Sequence, residues 1–239
     1  MIGMTNLFRH EIKYLISEKE YTLLTKRITS VLKHDHHYKV HQYHVRSLYF
    51  DDFMDRALLS KLDGLQKRKK YRIRLYNLDS SFIRLECKIK DNTLIRKEQV
   101  RISRKLCHEV IGGTSRKNLL DYQGETNIIG DLIDLFFIER FLYSPSILID
   151  YVRETYTDPS QDVRISFDSN LSYHTHQYQL FDQELFMTPY FKEPMIILEV
   201  KYTKILPSYI KNLLQLDQFT QMALSKYAMC RLAKRTFTY

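Results

Sequence analysis

Residues 70–90 read KYRIRLYNLDSSFIRLECKIK, two alternating runs joined by a short polar turn. In the first run Arg72 and Arg74 share one face, and Tyr71, Ile73 and Leu75 share the other. In the second, Arg84, Glu86, Lys88 and Lys90 oppose Ile83, Leu85, Cys87 and Ile89. Alternation with period two marks a β-strand with one face buried. The polar face is unusual in being charged almost throughout. Working outward, the spacing recurs in Lys97, Gln99 and Arg101 of 94–102 and in Arg164, Ser166 and Asp168 of 163–168. It recurs again in Glu199 and Lys201 of 195–203 and in Arg9, Glu11 and Lys13 of 8–16. Residues 146–156 (SILIDYVRETY) supply a further strand.

Helical patterns lie between these strands. Residues 17–33 begin with a capping box, Ser17 and Glu20, and carry the apolar stripe Tyr21, Leu24, Ile28, Val31 and Leu32. Residues 55–63 fit a short helix closed by Gly64, 103–143 a mostly helical insertion, and 208–235 a closing helix with Leu213, Leu216, Phe219, Leu224 and Leu232 on its apolar side. No repeat, low-complexity tract or Pro/Ser-rich linker divides the chain, so one domain over 1–239 is expected. Two arrangements satisfy the strand pattern: an open sheet with solvated charged faces, or a closed barrel with apolar faces outward under helices and charges lining the interior. Six repeats of the pattern, and helices whose stripes need a sheet to cover, favour the barrel. Roughly a dozen cations packed in such a lumen would repel one another severely unless a polyanion occupied it.

Composition points the same way. The 239 residues include 37 Lys and Arg against 28 Asp and Glu, a formal charge of +9 that suits an anionic partner. Only 6 glycines are present, and neither GxxxxGK[ST] nor GxGxxG occurs, so if the protein handles phosphates it must do so with side chains. GxSxG and HExxH are also absent, which leaves nucleophilic serine hydrolysis and zincin chemistry without local support. The 3 cysteines stand far apart without CxxC spacing, as in a reducing compartment. With no signal peptide and no apolar run of membrane-spanning length, a cytoplasmic location is expected. Duplex nucleic acid does not fit inside a small barrel, so no nucleic-acid partner is expected there.

Taken in order, RHEIKYLI (9–16), VRSLYFDD (45–52), KLDG (61–64), KYRIRLY (70–76), RLECKIK (84–90), IRKEQVRIS (95–103), LIDYVRETY (148–156), VRISFD (163–168), ILEVKYT (197–203) and SKY (225–227) resemble the CYTH-like triphosphate tunnel metalloenzymes. Within that superfamily the resemblance is to the polyphosphate polymerase domain of the vacuolar transporter chaperone (VTC) family. It implies an α+β fold, a closed antiparallel eight-stranded β-barrel with covering helices. It also implies an enzyme that passes the terminal phosphate of ATP to inorganic polyphosphate with Mn²⁺ or Mg²⁺. Carried over by position, Lys13, Arg72, Arg74, Lys88, Arg153 and Lys226 are the catalytic cations. Arg9, Lys61, Lys97, Arg101, Arg164, Lys201 and Ser225 are further phosphate contacts. Glu199, with Glu86 and Glu11, is the metal ligand set.

There are departures. Arg9-x-Glu11-x-Lys13 stands where the hydrolase branch has ExExK, which favours the polymerase branch. Lys61 stands where the yeast polymerase has arginine, a loss of bidentate phosphate geometry. The chain shows neither the inositol-phosphate-sensing domain nor the membrane helices of the yeast complex, and a membrane-protein partner is left unassigned. Transfer to an anionic phosphate acceptor needs alignment and charge compensation rather than a strong base, whereas hydrolysis needs a carboxylate to orient water. Triphosphate hydrolysis, catalytically idle polyanion binding and nucleic-acid binding by an outer basic face are the rival readings. His34, His36, His37, His41 and His44, and also His174 and His176, read as connector histidines rather than metal ligands. Tyr43, Tyr49 and Tyr151 read as packing residues, Glu86 equally as a partner of arginines, and KRKK (67–70) as a solvated strand entry that would steer polyanions at a tunnel mouth.

Overall fold

The computed structural model describes residues 8–35, 41–112, 143–176 and 178–236. In chain order these form β1 (His10–Ser17), α1 (Glu18–Ile28), β2 (Lys33–His34), β3 (Gln42–Asp52), α2 (Arg56–Leu62), β4 (Lys67–Tyr76), β5 (Ile83–Asp91) and β6 (Leu94–Ile102). There follow α3 (Arg104–Gly112), β7 (Tyr143–Asp158), β8 (Val163–His174), β9 (Thr188–Pro189), β10 (Met195–Tyr202) and α4 (Ser208–Leu214). A 3-10 turn at Leu216–Gln218 and α5 (Lys226–Thr236) complete the chain. Most of the predicted helical insertion, residues 113–142, lies outside the described residues; its first part is α3.

The strands form one antiparallel sheet in the order β1-β10-β8-β7-β3-β4-β5-β6, with β2 added to β7 and β9 to β8. The main path holds eight antiparallel strands, but hydrogen bonds do not close it into the expected barrel. The edge strands meet only at an isolated bridge, Arg9 N to Ile95 O at 3.1 Å and Ile95 N to Arg9 O at 3.2 Å. Beyond Ile95, β6 carries Arg96, Lys97, Glu98 and Arg101, and a charge-rich edge resists strand pairing. Side chains span the seam instead: Lys88 Nζ of β5 lies 2.9 Å from both carboxylate oxygens of Glu11 in β1.

The apolar faces are turned out and covered. Tyr71, Ile73, Leu75, Ile83, Leu85 and Cys87 pack beneath Leu106, Cys107 and Val110 of α3. On the other half, Tyr14, Ile16, Ile165, Phe167, Leu198 and Val200 pack beneath Leu24 and Ile28 of α1 and Ile210 and Leu214 of α4. Each fully buried aliphatic side chain here contributes about 1.5–3 kcal/mol.

The helix boundaries have local causes. The predicted capping box at α1 is present, with Ser17 N donating to Glu20 Oε2 at 2.7 Å and Glu20 N to Ser17 Oγ at 3.4 Å. The helix stops at Ile28 rather than 33, where the hydroxyls of Thr29 and Ser30 donate to the carbonyls of Thr25 and Arg27 at 2.9 and 2.7 Å. Asp51 and Asp52 cap α2: Asp51 accepts from the Ala57 and Leu58 amides at 2.8 and 3.1 Å, and Asp52 from that of Arg56 at 3.0 Å. Gly64 follows at φ +71°, a left-handed position suited to glycine.

The predicted helix over 208–235 is two helices with different tasks. Gln215 turns left-handed at φ 49°, and residues 219–225 run without helical structure before α5 begins. They are tied to β1 by Met222 N donating to Lys13 O at 2.9 Å. While α4 covers the outside, α5 enters the concave side, where Tyr227, Ala228 and Cys230 pack on Val45, Ile149, Leu171, Tyr173 and Ile197. Those inward apolar residues need a cover, and α5 supplies it.

Candidate functional site

The remainder of the concave face is a cavity of about 220 Å³. Strand parity builds it. Arg68, Lys70, Arg72 and Arg74 project from β4, opposite a β5 face in which Lys90 pairs with Arg68, Lys88 with Lys70 and Glu86 with Arg72. In the β1–β10 ladder Lys13 lies opposite Glu199 and Glu11 opposite Lys201. In this second ladder opposite charges alternate both along and across the strands, whereas β4 faces β5 largely with like charges. Lys13 Nζ is 2.9 Å from Glu11 and 3.2 Å from Glu199, and Lys201 Nζ is 2.5 Å from Glu199. Residues 222–227 form another wall, with Lys13 Nζ donating to Leu224 O at 3.2 Å. Lys61 reaches in from α2, and Lys226 from the first turn of α5. In all, 11 cationic side chains line the cavity against 2 carboxylates, Glu11 and Glu199.

A layer of acceptors beneath holds the arginines in place. Glu86, wholly buried, accepts from Arg72 Nε at 2.7 Å and Lys97 Nζ at 3.2 Å, with Arg74 at 3.8 Å. Tyr49 Oη accepts from Arg72 at 3.1 Å, and Ser47 Oγ and Tyr151 Oη from Arg74 at 3.0 and 3.2 Å. Asp168 accepts a fork from Arg153 at 2.6 and 2.7 Å, and Lys226 Nζ at 2.5 Å. Such forks fix the guanidinium planes before any ligand arrives.

The charge states follow from burial set against neighbours. Burial alone would raise the Glu86 carboxyl, but Arg72, Lys97 and Arg74 outweigh it and hold it well below the usual range. Asp168 is brought down to about 2, because Arg153 and Lys226 outweigh its burial. Glu199 is held low in the same way by Lys201 and Lys13. Several lysines go the other way. Burial carries Lys88 down to about 8; Glu11 opposes the shift and Lys13 adds to it. Lys70 falls well below its ordinary value through burial and then the charges of Lys88, Lys13, Arg68 and Lys61. Cations outnumber the local acids here, and for both lysines burial is the larger cause of the lowering.

Eleven of the predicted residues come together around this cavity: Lys13, Lys61, Arg72, Arg74, Lys88, Arg153, Lys201, Ser225, Lys226, Glu11 and Glu199. Five do not line it. Glu86 and Lys97 form the layer beneath. Arg9 pairs with Asp162 at 2.8 Å beside the seam. Arg101 donates to Ser81 O at 2.6 Å, and Arg164 pairs with Asp35 at 3.0 Å. Three further cations, Arg68, Lys70 and Lys90, do line it, and Asp168 orders two of the cations. Arg68 and Lys70 share the parity of Arg72 and Arg74, the signal by which half of KRKK is assigned to the interior. Tyr43, Tyr49 and Tyr151 are buried, and Tyr49 and Tyr151 also line the cavity. Among the described residues no group of three or more His, Cys, Asp or Glu side chains is placed to hold a metal ion, and His36 and His37 lie outside the described residues.

The site is thus the cationic concave face of a curved antiparallel sheet whose outer face is covered by helices. Residues 8–233 match the VTC domain model, and the chain belongs to that family. No curated protein sequence matches it. Among solved structures it is similar to a candidate adenylyl cyclase from Hippeastrum with a dominant triphosphatase activity, at 15% identity and TM-score 0.56, over 95% of this chain and 96% of that one. It is also similar to a candidate adenylate cyclase from Bacillus halodurans, at 12% identity and TM-score 0.52, over 96% and 99%. No helix among the described residues is long and apolar enough to cross a membrane.

Proposed function

We propose that this protein is a metal-dependent phosphotransferase that moves the terminal phosphate of ATP onto an inorganic polyphosphate chain in its basic cavity. The observation that carries the reading is the 11-to-2 excess of cations over carboxylates on the lining, with the arginines already fixed by buried acceptors. Phosphoryl transfer is catalysed chiefly by alignment and by stabilising charge on the transferred group. Arg72, Arg74 and Arg153 would hold non-bridging oxygens in fixed planes, while Lys13, Lys88 and Lys226 act as movable point charges.

Glu11 and Glu199 fit a divalent ion. Both approach Lys13 from neighbouring strands, both are ionised, and an all-carboxylate donor pair completed by phosphate oxygens is what Mg²⁺ or Mn²⁺ accepts. The metal would neutralise charge between adjacent phosphates. Glu86 is too enclosed by Arg72, Arg74 and Lys97 to share that task and serves as their counter-ion.

Triphosphate hydrolysis is the second reading, and the triphosphatase activity of the Hippeastrum protein favours it. Against it, Glu11 and Glu199 are ion-paired and weakly basic, which suits an anionic acceptor better than water. Incubating the protein with ATP and Mn²⁺ and resolving the products on a gel separates the two. Long phosphate chains support the proposal, orthophosphate alone supports hydrolysis, and no consumption of ATP refutes both.

A further inference from the structure

One pair of groups at the cavity sets an amine beside a hydroxyl. Lys70 Nζ lies 2.9 Å from Ser225 Oγ, joining β4 to the start of α5. Lys13, Lys88, Lys201 and Lys226 each have a carboxylate partner, whereas no carboxylate among the described residues is within ion-pair distance of Lys70. Its ammonium position instead faces the Tyr227 ring, 5.1 Å from the centroid. Burial and four neighbouring cations favour the neutral amine, whose lone pair accepts a proton from a hydroxyl. Ser225 is the N-cap of α5, its carbonyl accepting from Met229 N at 2.8 Å and its Oγ from Ala228 N at 3.4 Å. The helix end stabilises negative charge on that oxygen. A hydroxyl within hydrogen-bond reach of a base, in a cavity built for phosphates, is an activated nucleophile. An anionic phosphate acceptor requires no base, but a serine acceptor does.

We propose that Ser225 is an internal phosphoryl acceptor, with Lys70 as its base, so that the protein phosphorylates itself inside the cavity. The inference rests on the phosphotransfer reading and extends it. The Oγ–phosphorus bond forms as the bond from the terminal phosphorus to the bridging oxygen breaks. The bridging oxygen keeps the electron pair and leaves with the nucleoside diphosphate, and the Oγ proton passes to Lys70 Nζ. The phosphoserine then presents the kind of anionic oxygen that chain growth accepts.

The test is to incubate the full chain with ATP and Mn²⁺, without added polyphosphate, and follow it by intact mass and phosphopeptide mapping. Wild type should gain one or more phosphoryl groups on the peptide holding Ser225. Ser225→Ala should gain none while unfolding as cooperatively as wild type, and Ser225→Thr should retain labelling. Lys70→Gln should slow labelling about 100-fold or more, as loss of a general base does. Unmodified Ser225 in wild type that makes polyphosphate from ATP overturns the inference and leaves the phosphotransfer reading intact; equal labelling of Ser225→Ala also overturns the inference. Failure to consume ATP at all overturns both.

Discussion

Arg72 and Glu86 are direct cross-strand partners in the β4–β5 ladder, and the guanidinium Nε lies 2.7 Å from a carboxylate oxygen that water does not reach. The pair anchors the cavity floor, because the same carboxylate also faces Lys97 and Arg74. Glu86→Gln leaves these buried cations without compensation and should cost about 3–5 kcal/mol of stability. Urea unfolding measures it. A loss below about 1 kcal/mol would show that Glu86 is not their counter-ion.

Lys88 stands on the cavity wall, paired with Glu11. If it contacts phosphate, Lys88→Gln should weaken tripolyphosphate binding about 10-fold to 100-fold, the usual worth of a hydrogen bond to a charged group. Calorimetric titration gives the ratio, and an unchanged affinity would remove Lys88 from the site.

The same lysine sets a pH dependence. Its folded-state value of about 8 lies below the ordinary value of 10.5, so between these limits the unfolded chain binds more protons than the ligand-free fold. Stability of the ligand-free protein therefore gains from this group as pH rises from about 8 to 10.5. A bound polyanion raises the lysine again, so binding takes up protons above pH 8 and weakens as pH increases. Titrations in buffers of different ionisation enthalpy should show proton uptake near pH 8.5, reduced in Lys88→Gln. Proton release there would contradict the assignment.

Glu199 is the carboxylate shared by Lys13 and Lys201. As a metal ligand its replacement should cost at least what loss of a ligand's supporting partner costs, about 100-fold in metal affinity. Glu199→Gln should shift the Mn²⁺ midpoint for turnover upward by that factor. An unaltered midpoint would leave it a counter-ion only.

Much of this arrangement is legible in the residues themselves. Alternation assigns Arg72, Lys88 and Glu199 to one face and Ile73, Ile89 and Leu198 to the other, because parity depends only on the strand repeat. Ser17 and Glu20 announce the start of α1 through local chemistry. Parity cannot tell which end of a strand meets the cavity, so Arg164 and Arg101 have the right period and the wrong level, whereas Lys70 has both. The break at 219–225 contains no proline or glycine and continues a helical pattern; a tertiary contact from Met222 to Lys13 overrides it. Seam closure depends on strand tilt and stagger, which no single strand encodes.

The central claim is that phosphates sit on the concave face among Lys13, Arg72, Arg153 and Lys226. A crystal structure of the protein with tripolyphosphate tests it most directly. Phosphorus positions within hydrogen-bonding reach of those four side chains are the predicted result. Tripolyphosphate bound only on the outer helices or the strand edges, with the cavity cations still paired to Glu86, Asp168 and Glu199, would contradict it.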